Sequence, residues 1–248
     1  MMAQFYQKIW SEAYSQNDKN ILSLLRFEKN RKAKVIDIGC GDGQKTLKFK
    51  KKIGCQKIVG LDGVAERLKV AKKKGIETIT TDIEKRLPFK DNYFDVVVSN
   101  QVIEHIVNID HFISEIRRIL KPQGYAVISS ENLASWHNIF ALVIGYQDFS
   151  HNIIKKAHIS NPLSPHYGEK TATWSKSDNG GVDDSAYPHL KILTYYSLRK
   201  VFEEYGFRFE KGLGSGYYPL FGLPSRIAAK INPRHSHFIT IKIRKLKP

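Results

Sequence analysis

The residues best suited to chemistry cluster in the first hundred positions and share one theme, the binding of a polar ligand built around a nucleoside. The run Asp37-Ile38-Gly39-Cys40-Gly41-Asp42-Gly43 follows a β-branched stretch. Its glycines allow a sharp turn and a close ligand approach that a Cβ would obstruct. A helix opening directly after such a turn aims its N-terminal N–H groups at the same place. Asp62, followed by Gly63, is a carboxylate able to accept hydrogen bonds from both hydroxyls of a ribose. Asp82 can accept from an exocyclic amine, Ile83 can lie against a ring, and Asn100 and Gln101 add two amides. Taken alone, Asp37 or Asp62 would serve equally as a strand-end carboxylate or helix cap. The dinucleotide fingerprint Gly-x-Gly-x-x-Gly fails here, because its third glycine would fall on Gln44 and the chain has Gly43 instead. Glu104, His105, His137 and His189 are the candidate proton acceptors.

Short apolar runs alternating with helical repeats must position these groups. Lys34–Ile38, Lys57–Asp62, Glu77–Asp82, Phe94–Asn100 and Tyr125–Ser130 read as strands, the first four ending where a candidate residue stands. The intervening segments, including 46–53, 64–74 and 109–120, have helical spacing. The pattern predicts an α/β fold with a doubly wound, mostly parallel sheet, whose ligands bind at the carboxyl ends of the strands. Strands at 207–210 and 238–243 raise the expected number to seven. Phe5, Ile9, Trp10, Tyr14, Ile21, Leu24 and Leu25 predict an N-terminal helical cap over 1–32 ahead of a domain at 33–248. Within that domain, 133–146 reads as helical and Thr194 opens another helix ended by Gly206. Residues 146–190, polar and poor in periodicity, form an insertion expected to cover the acceptor site as a lid.

The composition narrows the function classes. A chain of 248 residues with 42% hydrophobic content can fill a sizeable core. Its longest apolar run falls far short of the roughly 20 residues that span a bilayer, and no signal pattern opens the chain, so a cytoplasmic location is expected. Cys40 and Cys55 read as free thiols. No Cys-x-x-Cys or His-Glu-x-x-His spacing predicts a metal site, and His151, His158 and His166 read as loop histidines. The net charge of +16 arises from 40 Lys and Arg against 24 Asp and Glu. It suits anionic partners: a phosphorylated acceptor, nucleic acid, or peripheral contact with an anionic membrane. Equally, Lys48, Lys50, Lys51, Lys52, Lys72, Lys73 and Lys74 on or after outer helices, and Arg244, Lys245 and Lys247 as a tail, make a solvated basic surface.

With these motifs in place, the chain resembles the class I S-adenosylmethionine-dependent methyltransferases, in particular the type 11 small-molecule and glycan group, over about 33–130. The resemblance rests on acidic-x-Gly-x-Gly-x-Gly at Asp37–Gly43, on Leu87-Pro88-Phe89, on Phe94-Asp95-Val96-Val97 and on Glu104-His105. It implies a Rossmann-like methyltransferase fold and S-adenosylmethionine as cofactor, with S-adenosylhomocysteine as product. It assigns Asp37, Gly39, Cys40, Gly41 and Gly43 to the methionine portion, Asp62 and Gly63 to the ribose, Asp82 and Ile83 to adenine, and Asn100 and Gln101 to the region of the transferred methyl. Glu104, His105 and His189 are then the candidate catalytic residues. The segments from Glu131 to Asn138 and Leu193 to Arg199 resemble methyltransferases of polysaccharide and glycolipid pathways, which implies a hydroxyl oxygen on a small-molecule or glycan-like, lipid-linked acceptor. Base methylation of nucleic acid is disfavoured because Asn100-Gln101-Val102-Ile103 lacks the Asn/Asp-Pro-Pro-aromatic motif. RNA or protein methylation, and a non-catalytic cofactor-binding protein, remain alternatives.

Overall fold

The computed structural model describes residues 2–26, 32–151, 159, 161–164 and 189–247, with side chains from Lys8 onward in the first of these segments. The Phe5 side chain, His158, His166 and most of the 146–190 insertion lie outside what the structure describes.

Parallel strands buried on both faces build the centre of the molecule. β1 (Val35–Ile38) is buried at every position and lies between β2 (Ile58–Asp62) and β4 (Phe94–Asn100). Such strands need apolar, β-branched side chains on both faces, and Val35, Ile36, Ile38, Val96, Val97 and Val98 supply them. With β3 (Glu77–Thr80), β5 (Leu120–Glu131), β6 (Phe207–Ser215) and β7 (Phe238–Lys245) the sheet has seven strands in the order β3-β2-β1-β4-β5-β7-β6. β7 runs antiparallel to both β5 and β6; the other pairings are parallel. The doubly wound, mostly parallel sheet expected from the sequence is therefore present.

The parallel register decides where the site must be. Ile38 pairs with Leu61 and with Ser99, Asp62 with Thr80, and Asn100 with Ser129. The chain thus leaves β1, β2, β4 and β5 along one edge, and every candidate from Gly39 to Gln101 stands on or just beyond it.

Helices cover both faces. α2 (Gln44–Ile53) follows the glycine turn and buries Thr46, Phe49 and Ile53, while Lys48, Lys51 and Lys52 point to solvent. α3 (Ala65–Lys73) does the same with Leu68 and Ala71 inward and Lys72 and Lys73 outward. α4 (Ile109–Ile119) is capped by Asn108, whose side chain accepts from the His111 N–H, and buries Phe112, Ile113, Ile116 and Ile119. Each of these apolar side chains contributes about 1.5–3 kcal/mol by leaving water. On the same helix Glu115 and Arg118 pair at 2.7 Å; Glu115 accepts from Leu87 N, and Arg118 donates to the Leu87 and Phe89 carbonyls. This fastens the Leu87-Pro88-Phe89 loop to α4. α6 (Tyr195–Glu204) is capped by Thr194 and ends before Gly206, which has φ 73°, matching the sequence reading.

Several expectations needed adjustment. α1 (Met2–Leu24) packs on the sheet itself: Ile21, Leu24 and Leu25 share a core with Val35, Val96, Tyr125 and Val127. Trp10, expected in its apolar stripe, is 45% exposed and stacks on Tyr14. Residues 121–124, ahead of the strand expected to begin at Tyr125, are already strand, with an irregular register against Phe94 and Val96. α5 is shorter than expected, Trp136–Val143, and α7 (Gly222–Ile231) had no counterpart in the sequence reading. Arg244 and Lys245 are not a solvated tail. They end β7, where Arg244 pairs with Glu210 and Lys245 donates to Asn92 Oδ1 and the Arg117 and Leu120 carbonyls at 2.7 Å each. No described helix is long and apolar enough to cross a membrane.

Candidate active site

The glycine turn has three glycines with positive φ, but they serve two ends. A Cβ on Gly39 would collide with the Val102 side chain, and one on Gly43 would collide with Ile76 and crowd Ala71. These two are glycine because the protein packs against them. Gly41, with φ 54°, would meet nothing within 4 Å, and Gly63 would meet only Thr81 O at 3.9 Å. Backbone at Gly41 and Gly63 therefore fronts open space, as a surface contacting a ligand must. Cys40 turns its thiol inward against Gly60, where burial pushes its pKa up; it offers the turn its backbone, not a reactive sulfur.

Asp37 sits behind the turn. It is 2% exposed, and its Oδ2 accepts from Thr46 Oγ1 at 2.6 Å, tying β1 to α2. Burial pushes its carboxyl up to about 7 despite the Thr46 hydrogen bond and the charge of Lys45, with Asp62 adding to the rise. Asp62 spans the open ground between the two exposed glycines: one oxygen accepts from Gly41 N and the other from Val64 N, each at 2.9 Å. A carboxylate has about four acceptor positions, so capacity remains on both oxygens for two ligand hydroxyls. Asp82 stands just past β3, half exposed, with Oδ1 accepting from Glu84 N at 3.0 Å. Ile83 beside it is partly buried against the core.

Asn100 is held by a residue from the far end of the fold. Asn17 on α1, fully buried, donates Nδ2 to Asn100 Oδ1 at 3.1 Å, while its Oδ1 accepts from Ser129 Oγ at 2.9 Å and Thr240 Oγ1 at 2.7 Å. Gln101 adopts φ 57°, a left-handed conformation that costs a non-glycine residue roughly 1–2 kcal/mol. Its N–H and its side-chain amide both engage Ser129, at 2.9 and 3.3 Å. Strain retained at the end of a strand beside a binding edge is a common mark of a functional position.

The candidate catalytic residues come together. Glu104 and His105 lie on a short 3-10 turn, Ile103–His105, directly after β4. The Glu104 carbonyl accepts from Leu190 N at 2.7 Å and Lys191 N at 3.2 Å, which brings His189 alongside; the His105 and His189 rings lie 4.7 Å apart. Glu104 is fully buried, Oε2 accepts from Ser130 Oγ at 3.0 Å, and burial pushes its carboxyl up to about 7 against the opposing influence of His189. Burial would lower the His189 pKa, yet Glu131 and Glu104 hold it above the usual imidazole value. Glu131, ending β5, is 3.6 Å from His189 Nδ1. His137 is elsewhere: it contacts His237 at 2.9 Å, and burial takes both imidazoles down to about 3, too weakly basic to accept a proton at neutral pH.

Sequence reasoning missed Asn17, Glu131 and the convergence of Glu104, His105 and His189. Asn17 carried no signal, being one polar residue within a helical repeat. The ligand-like trio is scattered across more than eighty positions of sequence and is assembled only by the fold.

A family model described as "Methyltransferase domain" matches residues 36–128. Among curated proteins the chain is 32% identical over 133 residues to a ubiquinone biosynthesis O-methyltransferase from Bradyrhizobium sp. (strain ORS 278), covering 48% of this chain and 51% of that protein. It is 31% identical over 123 residues to the mitochondrial ubiquinone biosynthesis O-methyltransferase of Rattus norvegicus, covering 46% and 35%. The matches thus span about half or less of those relatives. Among solved structures, an S-adenosylmethionine-dependent methyltransferase from Mesorhizobium loti superposes with TM-score 0.57 at 16% identity, over 92% of this chain and 96% of that one. The [4+2]-cyclase SpnF superposes with TM-score 0.58 at 15% identity, over 94% and 81%.

Proposed function

We propose that the chain, whose residues 36–128 match a methyltransferase domain, is a class I S-adenosylmethionine-dependent methyltransferase that transfers a methyl group from that cofactor to a hydroxyl oxygen of a small-molecule or glycan-like acceptor. The observation carrying this reading is the exposed backbone at Gly41 and Gly63 with the Asp62 carboxylate between them. That arrangement fits a ribose flanked by a chain that must pass close to the backbone. Asp62 would hold the ribose hydroxyls, Ile83 the adenine face and Asp82 its amine. Backbone from Gly39 to Gly43, together with Asn100 and Gln101, would hold the methionine portion. Bound there, S-adenosylmethionine supplies a methyl group already activated by a sulfonium.

The protein's task is then to align, to exclude water and to handle one proton. Asn17 and Ser129 fix Asn100 and Gln101 beside the methyl, and the buried cluster of Glu104, His189 and Glu131 receives the proton lost from the acceptor hydroxyl. The O-methyltransferases among the relatives support an oxygen acceptor. The net charge of +16 favours an anionic acceptor, such as one bearing phosphate.

The fold also houses a cyclase, so turnover and not binding is the decisive measurement. Purified protein should release S-adenosylhomocysteine faster when a phenolic or sugar hydroxyl acceptor is added. Tight cofactor binding with no stimulation by any hydroxyl acceptor would refute methyl transfer to oxygen.

A further inference from the structure

Glu104, His105 and His189 each offer a ligand atom, one carboxylate oxygen and one nitrogen from each ring, and these atoms lie within 4.8 Å of one another. We propose that they form a binding site for a divalent transition-metal ion, placed where the acceptor hydroxyl meets the methyl donor. Two imidazoles and one carboxylate on one side, with the remaining positions open, is a ligand set that takes borderline ions such as Zn²⁺, Co²⁺, Mn²⁺ or Fe²⁺ in preference to Mg²⁺ or Ca²⁺.

Three further features point to an ion. Glu104 is wholly buried, yet its Oε1 has no hydrogen-bond partner among the described residues. A carboxylate oxygen withdrawn from water without compensation costs folding free energy, and a bound cation compensates it. His189 Nδ1 lies 2.7 Å from the Ser150 carbonyl, which can only accept, so the proton sits on Nδ1 and the neutral ring keeps its lone pair on Nε2. A ring N–H given to a backbone carbonyl is the support that metal-binding imidazoles ordinarily have. Finally, Glu131 Oε2 is also buried with no hydrogen bond among the described residues, 3.6 Å from His189 Nδ1, which adds negative charge behind the ring whose Nε2 would bind the ion.

The role of the ion rests on the proposed methyl transfer; its binding does not. An ion held there would draw electron density from the acceptor hydroxyl and ease loss of its proton. The oxygen then takes the methyl group, the sulfonium becomes a neutral thioether, and the proton is released to solvent. The fold supplies rigid support: Glu104 is anchored by Ser130, and His189 by the two N–H groups after it that bind the Glu104 carbonyl.

The test uses the full chain stripped with a chelator and then titrated calorimetrically with Zn²⁺ or Co²⁺ alone. The expected result is one saturable site, with visible d–d absorption for Co²⁺. Glu104→Gln and His189→Gln should each weaken it by about tenfold or more, the low end of what perturbing a site's immediate support costs. Thermal melts establish that the variants fold; if Glu104→Gln does not, His105→Gln replaces it. Absence of saturable binding by the wild type, or equal affinity in folded variants, overturns the site. S-adenosylhomocysteine binding is measured on the same samples. Metal binding without nucleoside binding supports the site and refutes only the cofactor assignment.

Discussion

Replacing Asp37 by asparagine tests whether the carboxylate behind the glycine turn is truly shut away from water. Its pKa rises from 3.8 to about 7 because burial penalises the charged form more than Thr46 and Lys45 favour it. The folded state therefore holds a proton that the unfolded chain has released between pH 4 and pH 7, and stability falls as pH rises through that window. At about 1.36 kcal/mol for each pH unit of that rise, the loss amounts to about 4 kcal/mol. An amide in this position would have no charge to desolvate, and its oxygen could still accept from the Thr46 hydroxyl. Relative to the wild type, Asp37→Asn should be near neutral or slightly destabilising at pH 4. It should gain about 1.4 kcal/mol per pH unit up to pH 7 and then remain level. Urea denaturation of both proteins at pH 4, 5.5, 7 and 8.5 isolates this difference, because every other titrating group cancels. A gap that does not change with pH would refute the account, whatever its size, since a fixed offset reflects amide packing and not charge burial.

Other expected outcomes follow from the same edge. Asp62→Ala should lower S-adenosylhomocysteine affinity at least about tenfold by calorimetry and, by orphaning Gly41 N and Val64 N, cost about 1–3 kcal/mol of stability; unchanged affinity would remove Asp62 from the ribose. Gly43→Ala should destabilise by roughly 2 kcal/mol or more in denaturant melts, from strain at φ 79° together with the collision with Ile76, whereas Gly41→Ala, with room for a Cβ, should cost only the strain at φ 54°, roughly 1–2 kcal/mol, and lose ligand affinity besides. Asn17→Ala should cost about 2–4 kcal/mol by leaving Asn100, Ser129 and Thr240 without their shared partner, and it should weaken cofactor binding though no ligand is expected to touch it.

The parallel half of the sheet was legible because β1, β2 and β4 are apolar and β-branched runs bounded by glycines and acids, and such runs admit few alternatives. The candidate binding edge was legible for the same reason: in a parallel sheet, strand ends fall on one side, so Asp62, Asp82 and Asn100 could be placed together from strand boundaries alone. What sequence spacing could not convey was direction. Nothing in Gly39 and Gly43 distinguishes a glycine that makes way for Val102 or Ile76 from one, like Gly41, whose Cβ position is open. The C-terminal half was harder, since α7 carries its apolar residues on exposed as well as buried faces, with Leu223 and Ile231 66% and 78% exposed. Arg244 and Lys245 look like a basic tail until β7 pairs with β6 and gives both side chains acceptors.

The pin at Asn17 bears on modularity. The stretch 36–128, which the methyltransferase-domain model matches, contains Asn100 and the edge of the sheet but neither Asn17 nor Thr240, which lie 83 and 140 residues from Asn100. Grafting that stretch onto another host would carry over Asn100 and leave it without the amide that holds it. Recombination between relatives would therefore do best to move the first helix and the last strand as a matched pair, because the Asn17 side chain joins α1 to β4, β5 and β7.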